Sequence, residues 1–144
     1  MTEMRKVFLD TAPIIYFLDE DVNYFKKMEC ILEKCLQDGV ILVTSVITCA
    51  EYFTYPLRTD NYGKISAFED FMKDCVGMVK PVDWNVAVKA ASIRSQYKDF
   101  KTVDCLQIAS ACIQNCDVFL TNDKQLRQFQ EIRCVTVDEY LQQM

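Results

Sequence analysis

Lys6-Val7-Phe8-Leu9-Asp10-Thr11-Ala12-Pro13 decides how the rest of this chain is read. The apolar run does not alternate with polar residues, as expected for a strand buried on both faces of a parallel sheet. It stops at Asp10, a favoured helix N-cap, and Pro13 falls in the first turn of the helix that would follow. The same sign, a short unbroken apolar run and then helical periodicity, recurs along the chain. Strand-like segments lie at 6–9, 40–44, 77–82, 118–121 and 133–137. Between them, apolar residues recur at i, i+3, i+4 and i+7. Phe25, Met28, Leu32 and Leu36 share one helix face, and Val46, Cys49, Ala50, Phe53 and Leu57 share another. Three further stripes are Ile65/Phe68/Met72/Cys75, Val86/Ala90/Ile93/Tyr97 and Cys105/Ile108/Ala109/Cys112/Ile113, and residues 137–141 read as a short closing helix. Pro56 and Gly63 bracket a helix break, and Gly77 and Pro81 bracket the third strand. The expected fold class is α/β: a three-layer α/β/α domain with a mainly parallel sheet of about five strands and right-handed crossovers. No linker, repeat or low-complexity tract divides residues 1–144, so a single domain is expected.

Composition narrows the chemistry. The chain has no histidine, which excludes Ser-His-Asp and Cys-His nucleophilic triads. Its eight cysteines form no C-x-x-C pair, so the usual zinc patterns are missing. Most fall on apolar faces and read as reduced core thiols. A net charge of −5 argues against a protein that coats DNA, but not against an enzyme that holds nucleic acid locally. No apolar run approaches the ~20 residues of a membrane helix. Residues 1–6 lead straight into the first strand without the features of a signal peptide. A soluble, cytoplasmic protein is expected.

Four acids stand where strands run out or helices begin: Asp10, Glu51, Asp104 and Asp123. Each has a plain structural explanation. Asp10 and Asp123 can be N-caps, Thr48-Cys49-Ala50-Glu51 reads as a capping box, and Asp104 can favour the positive end of the helix Cys105 to Ile113. Taken together they suggest more. In an open parallel sheet the strand ends on one edge converge on one crevice. Four carboxylates gathered there would repel one another unless a cation joined them. Mg²⁺ or Mn²⁺, hard cations that prefer oxygen ligands, would suit such a site, and phosphodiester chemistry would follow.

Val7-Phe8-Leu9-Asp10-Thr11, Thr44 to Glu51, Asp104 to Ala109 and Phe119-Leu120-Thr121-Asn122-Asp123 resemble the four motifs of PIN-domain ribonucleases. The likeness is greatest to the VapC-type toxins of toxin–antitoxin pairs, and it runs from residue 7 to about residue 137. Two positions depart from the family pattern. Gln107 stands where such proteins usually carry an apolar residue, and Phe100-Lys101-Thr102 lacks the glycine often found before the third acid. The resemblance implies an acidic Mg²⁺/Mn²⁺ site, endonuclease activity on RNA, a homodimer and a small antitoxin partner. On that basis Asp10 and Asp104 are expected as direct metal ligands, with Glu51 and Asp123 binding a second metal or orienting the water.

Thr11, Thr121 and Asn122 are polar neighbours that could support a ligand or a phosphate, or could serve only as turn and cap residues. Arg58, Arg94, Lys98 and Lys101 could contact RNA phosphates, or could be ordinary solvated charges. Tyr52, Phe53, Tyr55, Leu57 and Tyr62 form an aromatic and apolar surplus that cannot all face one core stripe, which favours a homodimer. The alternatives are a PIN-type nuclease without an antitoxin and a catalytically silent binding domain. An aspartate-nucleophile phosphatase is disfavoured, because Asp10-Thr11-Ala12 lacks the second Asp two positions on.

Overall fold

The structure, a computed structural model, describes residues 5–144; the reading of residues 1–4 lies outside them. The elements run β1 (Lys6–Leu9), α1 (Thr11–Leu18), α2 (Phe25–Gln37), β2 (Ile41–Ser45), α3 (Val46–Arg58), α4 (Tyr62–Cys75) and β3 (Met78–Lys80). They continue with α5 (Trp84–Gln96), α6 (Thr102–Ile113), β4 (Val118–Thr121), a 3-10 turn (Lys124–Gln128), β5 (Arg133–Thr136) and α7 (Val137–Gln142). The five strands form one sheet in the order β3-β2-β1-β4-β5, and every pairing is parallel. The expected three-layer α/β/α architecture is therefore observed.

Strand alternation builds two cores. Phe8, Val43, Phe119 and Cys134 point to one face and pack with Val86, Ala90 and Ile93 of α5 and Cys105, Ile108 and Ala109 of α6. Val7, Leu9, Leu42, Leu120 and Val135 point to the other, against residues of α1, α2, α3, α4 and α7. Burial on both faces is what removes polar residues from these strands. Phe8 and Phe119, paired in register, stack at 5.3 Å.

Capping residues set the helix starts. Asp10, Ser45, Asn61, Asp83 and Thr136 each accept a backbone N–H from the turn they open. Gly39 ends α2 at φ +70°, a left-handed position that glycine adopts without a Cβ clash.

Several expectations need correction. The third strand is Met78–Lys80 rather than 77–82, because Pro81 has no N–H to pair. It is an edge strand with Val79 exposed, so burial on both faces fails there. Pro56 lies inside α3, and the break narrows to residues 59–61. The buried line of α2 is Met28, Ile31, Leu32 and Cys35, with Leu36 turned out. In α3 the buried line is Thr48, Tyr52 and Pro56, while Val46 and Leu57 are exposed. Thr48 can occupy a core position because its hydroxyl is fully engaged with neighbouring polar groups.

The eight cysteines are free, and burial pushes the Cys116 and Cys134 thiols up to about 12, as expected for inert core residues. Among the described residues no helix is long and apolar enough to cross a membrane.

Candidate active site

The chain leaves β1 towards β2 and β3 on one side, and β4 and β5 fill the other. The sheet's topological switch point therefore lies between β1 and β4, where open α/β sheets form a crevice at the strands' carboxyl ends. Asp10 follows β1 and Asp123 follows β4, so the two acids flank that crevice. The Asp10 N–H donates to the Leu120 carbonyl at 2.9 Å, fixing the Asp10 backbone to β4.

Asp10 is half-buried, and both its oxygens are held. Oδ1 accepts the Thr11 N–H at 2.9 Å, and Oδ2 accepts the Thr121 hydroxyl at 2.8 Å. Burial lifts its carboxyl to about 6, and the negative charges of Asp104 and Glu51 push in the same direction. The bonds from Thr121 and Thr11 oppose that rise without cancelling it.

Asp104 sits at the third position of α6, which starts at Thr102 rather than at Cys105. Its Oδ2 accepts the Lys101 N–H at 3.4 Å, the carboxylate half of a capping box. Its carboxyl is also raised, first by burial and then by Asp123 and Glu51, against the Lys101 N–H and the Lys101 charge. Asp123 caps the 3-10 turn through the Gln125 N–H at 3.0 Å, and its own N–H donates to Thr121 Oγ1 at 3.1 Å.

Glu51 corrects an expectation. Ser45 caps α3, so the Thr48–Glu51 capping box does not form. Thr48 is buried inside the helix, and Glu51 Oε1 accepts the Thr11 hydroxyl at 2.6 Å. Behind Thr11 lies a buried polar layer of Thr44, Ser45, Thr48 and Gln107.

Asp10 thus stands in the fields of Asp104 and Glu51, and Asp104 in those of Asp123 and Glu51, and among the described residues none of the four pairs with Lys or Arg. As they stand, no three acids or cysteines among those residues lie close enough together to hold a metal ion.

The supporting residues divide. Thr11 and Thr121 each bond to one of the acids. Asn122 instead donates to the Tyr16 hydroxyl at 2.9 Å, a partner that sequence reading missed. Lys101 acts electrostatically on Asp104. Arg94 is exposed and lines a cleft of about 270 Å³ with Ala87, Ala90, Thr102, Cys105 and Leu106. Arg58 and Lys98 are exposed and form no ion pair with the acids. Another cleft, of about 580 Å³, lies at the opposite end of the strands beside Arg5, Lys34, Arg133 and Tyr140, away from the acids.

Sequence comparison against family models matches a PIN domain over residues 7–132. The chain belongs to the PIN-domain family. Its PIN fold is similar to that of several solved structures. One is DNA-bound VapBC from Salmonella typhimurium, with 20% identity, 93% of this chain and 99% of that chain covered, and a TM-score of 0.74. A second is VapBC-1 from nontypeable Haemophilus influenzae, with 20% identity, 92% and 98% covered, and a TM-score of 0.72. A third is a toxin–antitoxin complex from Klebsiella pneumoniae, with 15% identity, 91% and 97% covered, and a TM-score of 0.65. A search of curated protein sequences gives no significant match.

Proposed function

We propose that this PIN domain is a divalent-metal-dependent endoribonuclease and the toxin of a toxin–antitoxin pair. The observation that carries the reading is the group of four carboxylates about the switch point, in which Asp104 and Glu51 push Asp10 up and Asp123 and Glu51 push Asp104 up, with no Lys or Arg ion pair to any of them among the described residues. Burial and the neighbouring acids raise the Asp10 and Asp104 carboxyls, a perturbation that gathers at functional sites. The donor set is all hard oxygen, which fits Mg²⁺ or Mn²⁺. The likeness of fold to toxin–antitoxin complexes supports the toxin assignment.

In this reading Asp10 and Asp104 are the direct ligands, and Glu51 and Asp123 hold a second ion or orient the attacking water. Bound Mg²⁺ or Mn²⁺ supplies water activation and neutralises charge on the phosphate. Thr121 and Thr11 hold Asp10 and Glu51 as hydrogen-bond acceptors, and each bonded carboxylate oxygen keeps a further lone pair that a metal could use. Lys101 and Arg94, beside the start of α6, would meet backbone phosphates, and the exposed Arg58 and Lys98 would add to that contact. Tyr55, Leu57 and Tyr62, all more than half exposed around the α3–α4 junction, supply apolar surface for a second copy or for the antitoxin.

The test is incubation of purified protein with mixed RNA in Mg²⁺, Mn²⁺ or chelator. Cleavage with metal and none in chelator is expected. Equal cleavage in chelator, or none with either metal across varied RNAs, would count against the reading.

A further inference from the structure

Gln107 departs from the apolar pattern of its helix, and the structure gives the departure a use. Its amide is fully buried between α6 and α3. Oε1 accepts the Ser45 hydroxyl, and Nε2 donates to Thr48 Oγ1 at 2.9 Å and to Thr11 Oγ1 at 3.3 Å. The protons of this layer can be assigned by elimination. An ionised Glu51 only accepts, so the Thr11 hydroxyl must donate to it across their 2.6 Å contact. Thr11 then has no proton left for Gln107, so Gln107 must present its NH₂ to Thr11 and its carbonyl to Ser45. Thr44 donates to the Leu9 carbonyl at 2.9 Å, so the Thr44–Thr48 contact takes its proton from Thr48. Each proton in the layer then has one acceptor direction, and the chain of bonds ends on Glu51.

We propose that Gln107 is a positioning residue of the acidic centre: by donating to Thr11 it turns the Thr11 hydroxyl towards Glu51 and fixes where that carboxylate stands. Without the amide, Thr11 can turn its proton to Thr48, 3.2 Å away, and release Glu51. Glu51 is exposed on the helix surface, so little else restrains it. The proposal rests on the metal-nuclease reading for its consequence, but not for its geometry.

The experiment uses the full chain and the variants Gln107→Met, Thr11→Val, Thr11→Ser and the Gln107→Met/Thr11→Val double variant. The first readout is Mn²⁺ affinity without RNA, by titration calorimetry. Loss of a residue that orients a metal ligand typically weakens binding by about 10–100-fold. A fall in that range is expected for Gln107→Met and for Thr11→Val, with no further fall in the double variant, because the two act through one bond. Thr11→Ser keeps the hydroxyl and should restore near-wild-type affinity. The second readout is the Glu51 side-chain conformation in metal-free protein, from NMR couplings. One rotamer is expected in the wild type and averaging in Gln107→Met. Should Gln107→Met fail to fold, Gln107→Asn keeps a buried amide but withdraws it by one methylene. Wild-type affinity with a single Glu51 rotamer in the Gln107 variant, or additive losses in the double variant, overturns the proposal. If wild-type protein binds no Mn²⁺, the metal-nuclease reading fails, and the Glu51 rotamers alone decide the role of Gln107.

Discussion

The Thr121 hydroxyl donates to Asp10 Oδ2 at 2.8 Å while its oxygen accepts the Asp123 N–H at 3.1 Å, so one buried side chain at the end of β4 ties the first acid to the fourth. A bond to the ionised form lowers a carboxyl's pKa, and Thr121 is the largest such restraint on Asp10. Thr121→Val should raise the Asp10 carboxyl further above its present position near 6. The acid limb of the pH profile for metal binding should then move to higher pH, and Thr121→Ser should restore it. The variant also strands the Asp123 N–H, at a cost of about 1–3 kcal/mol in unfolding free energy. Calorimetric Mn²⁺ binding from pH 5 to 8 checks the first effect and urea denaturation the second.

Asp10 should also make the metal-free protein's stability depend on pH. Its folded carboxyl lies near 6 against an ordinary 3.8, so between these values the native state holds a proton that the unfolded state has lost. Unfolding free energy from this group is therefore fully present below about pH 4 and is lost as pH rises through 6. Asp10→Asn removes the dependence and keeps the cap. Its stability relative to wild type should rise between pH 4 and 6.5 by on the order of 2 kcal/mol, discounted for the solvent-facing side of the site. Denaturant melts at several pH values measure it, and a flat difference would show that the Asp10 carboxyl is not raised in the folded protein.

Asp10→Asn and Asp104→Asn also separate a metal site from a set of caps. Asparagine caps a helix about as well as aspartate. Each change should abolish RNA cleavage while leaving metal-free protein as stable or more stable at pH 7. A ligand that binds only the native state raises its melting temperature. Mn²⁺ should therefore raise that of the wild type, and less that of either variant. Full activity and a full metal-induced shift in both variants would return these residues to capping alone.

Tyr55 and Tyr62 are each 62% exposed and Leu57 53%, in a chain whose other tyrosine on α3, Tyr52, is buried. A homodimer through this surface should appear in light scattering at micromolar concentration. Leu57→Asp should convert it to monomer with little change in monomer stability, because exposed substitutions usually cost within about 0.5 kcal/mol. Wild-type protein that is already monomeric, with no small protein co-purifying from the native host, would discard both partner assignments.

The acids at the strand ends were legible because strand burial and strand termination are local. Val7-Phe8-Leu9 and Phe119-Leu120 carry no polar residue, and the first charge marks where the sheet's cover ends. The stripe of α5 was legible for the same reason: Val86, Ala90 and Ile93 face the core as their spacing requires. The stripe of α3 was not. Periodicity counted Val46 and Leu57 as core and passed over Thr48, whose burial depends on Gln107, 59 positions further along the chain. Asn122 likewise stands beside Asp123 in the sequence, yet its partner is Tyr16.

The sequence alone determined the alternation of strand and helix, the acid that ends β1, the acid in the first turn of α6, and the exclusion of histidine chemistry. Those follow from short-range periodicity and from side-chain chemistry that needs no partner. The tertiary structure decided the strand order that puts β1 beside β4, the face of the sheet each helix covers, and which hydroxyl meets which carboxylate. A buried polar side chain is stable only where a partner satisfies it. The partners of Thr11, Thr48 and Thr121 lie on other elements, so only the assembled sheet and its helices bring Gln107 and Glu51 to Thr11, and Asp10 to Thr121.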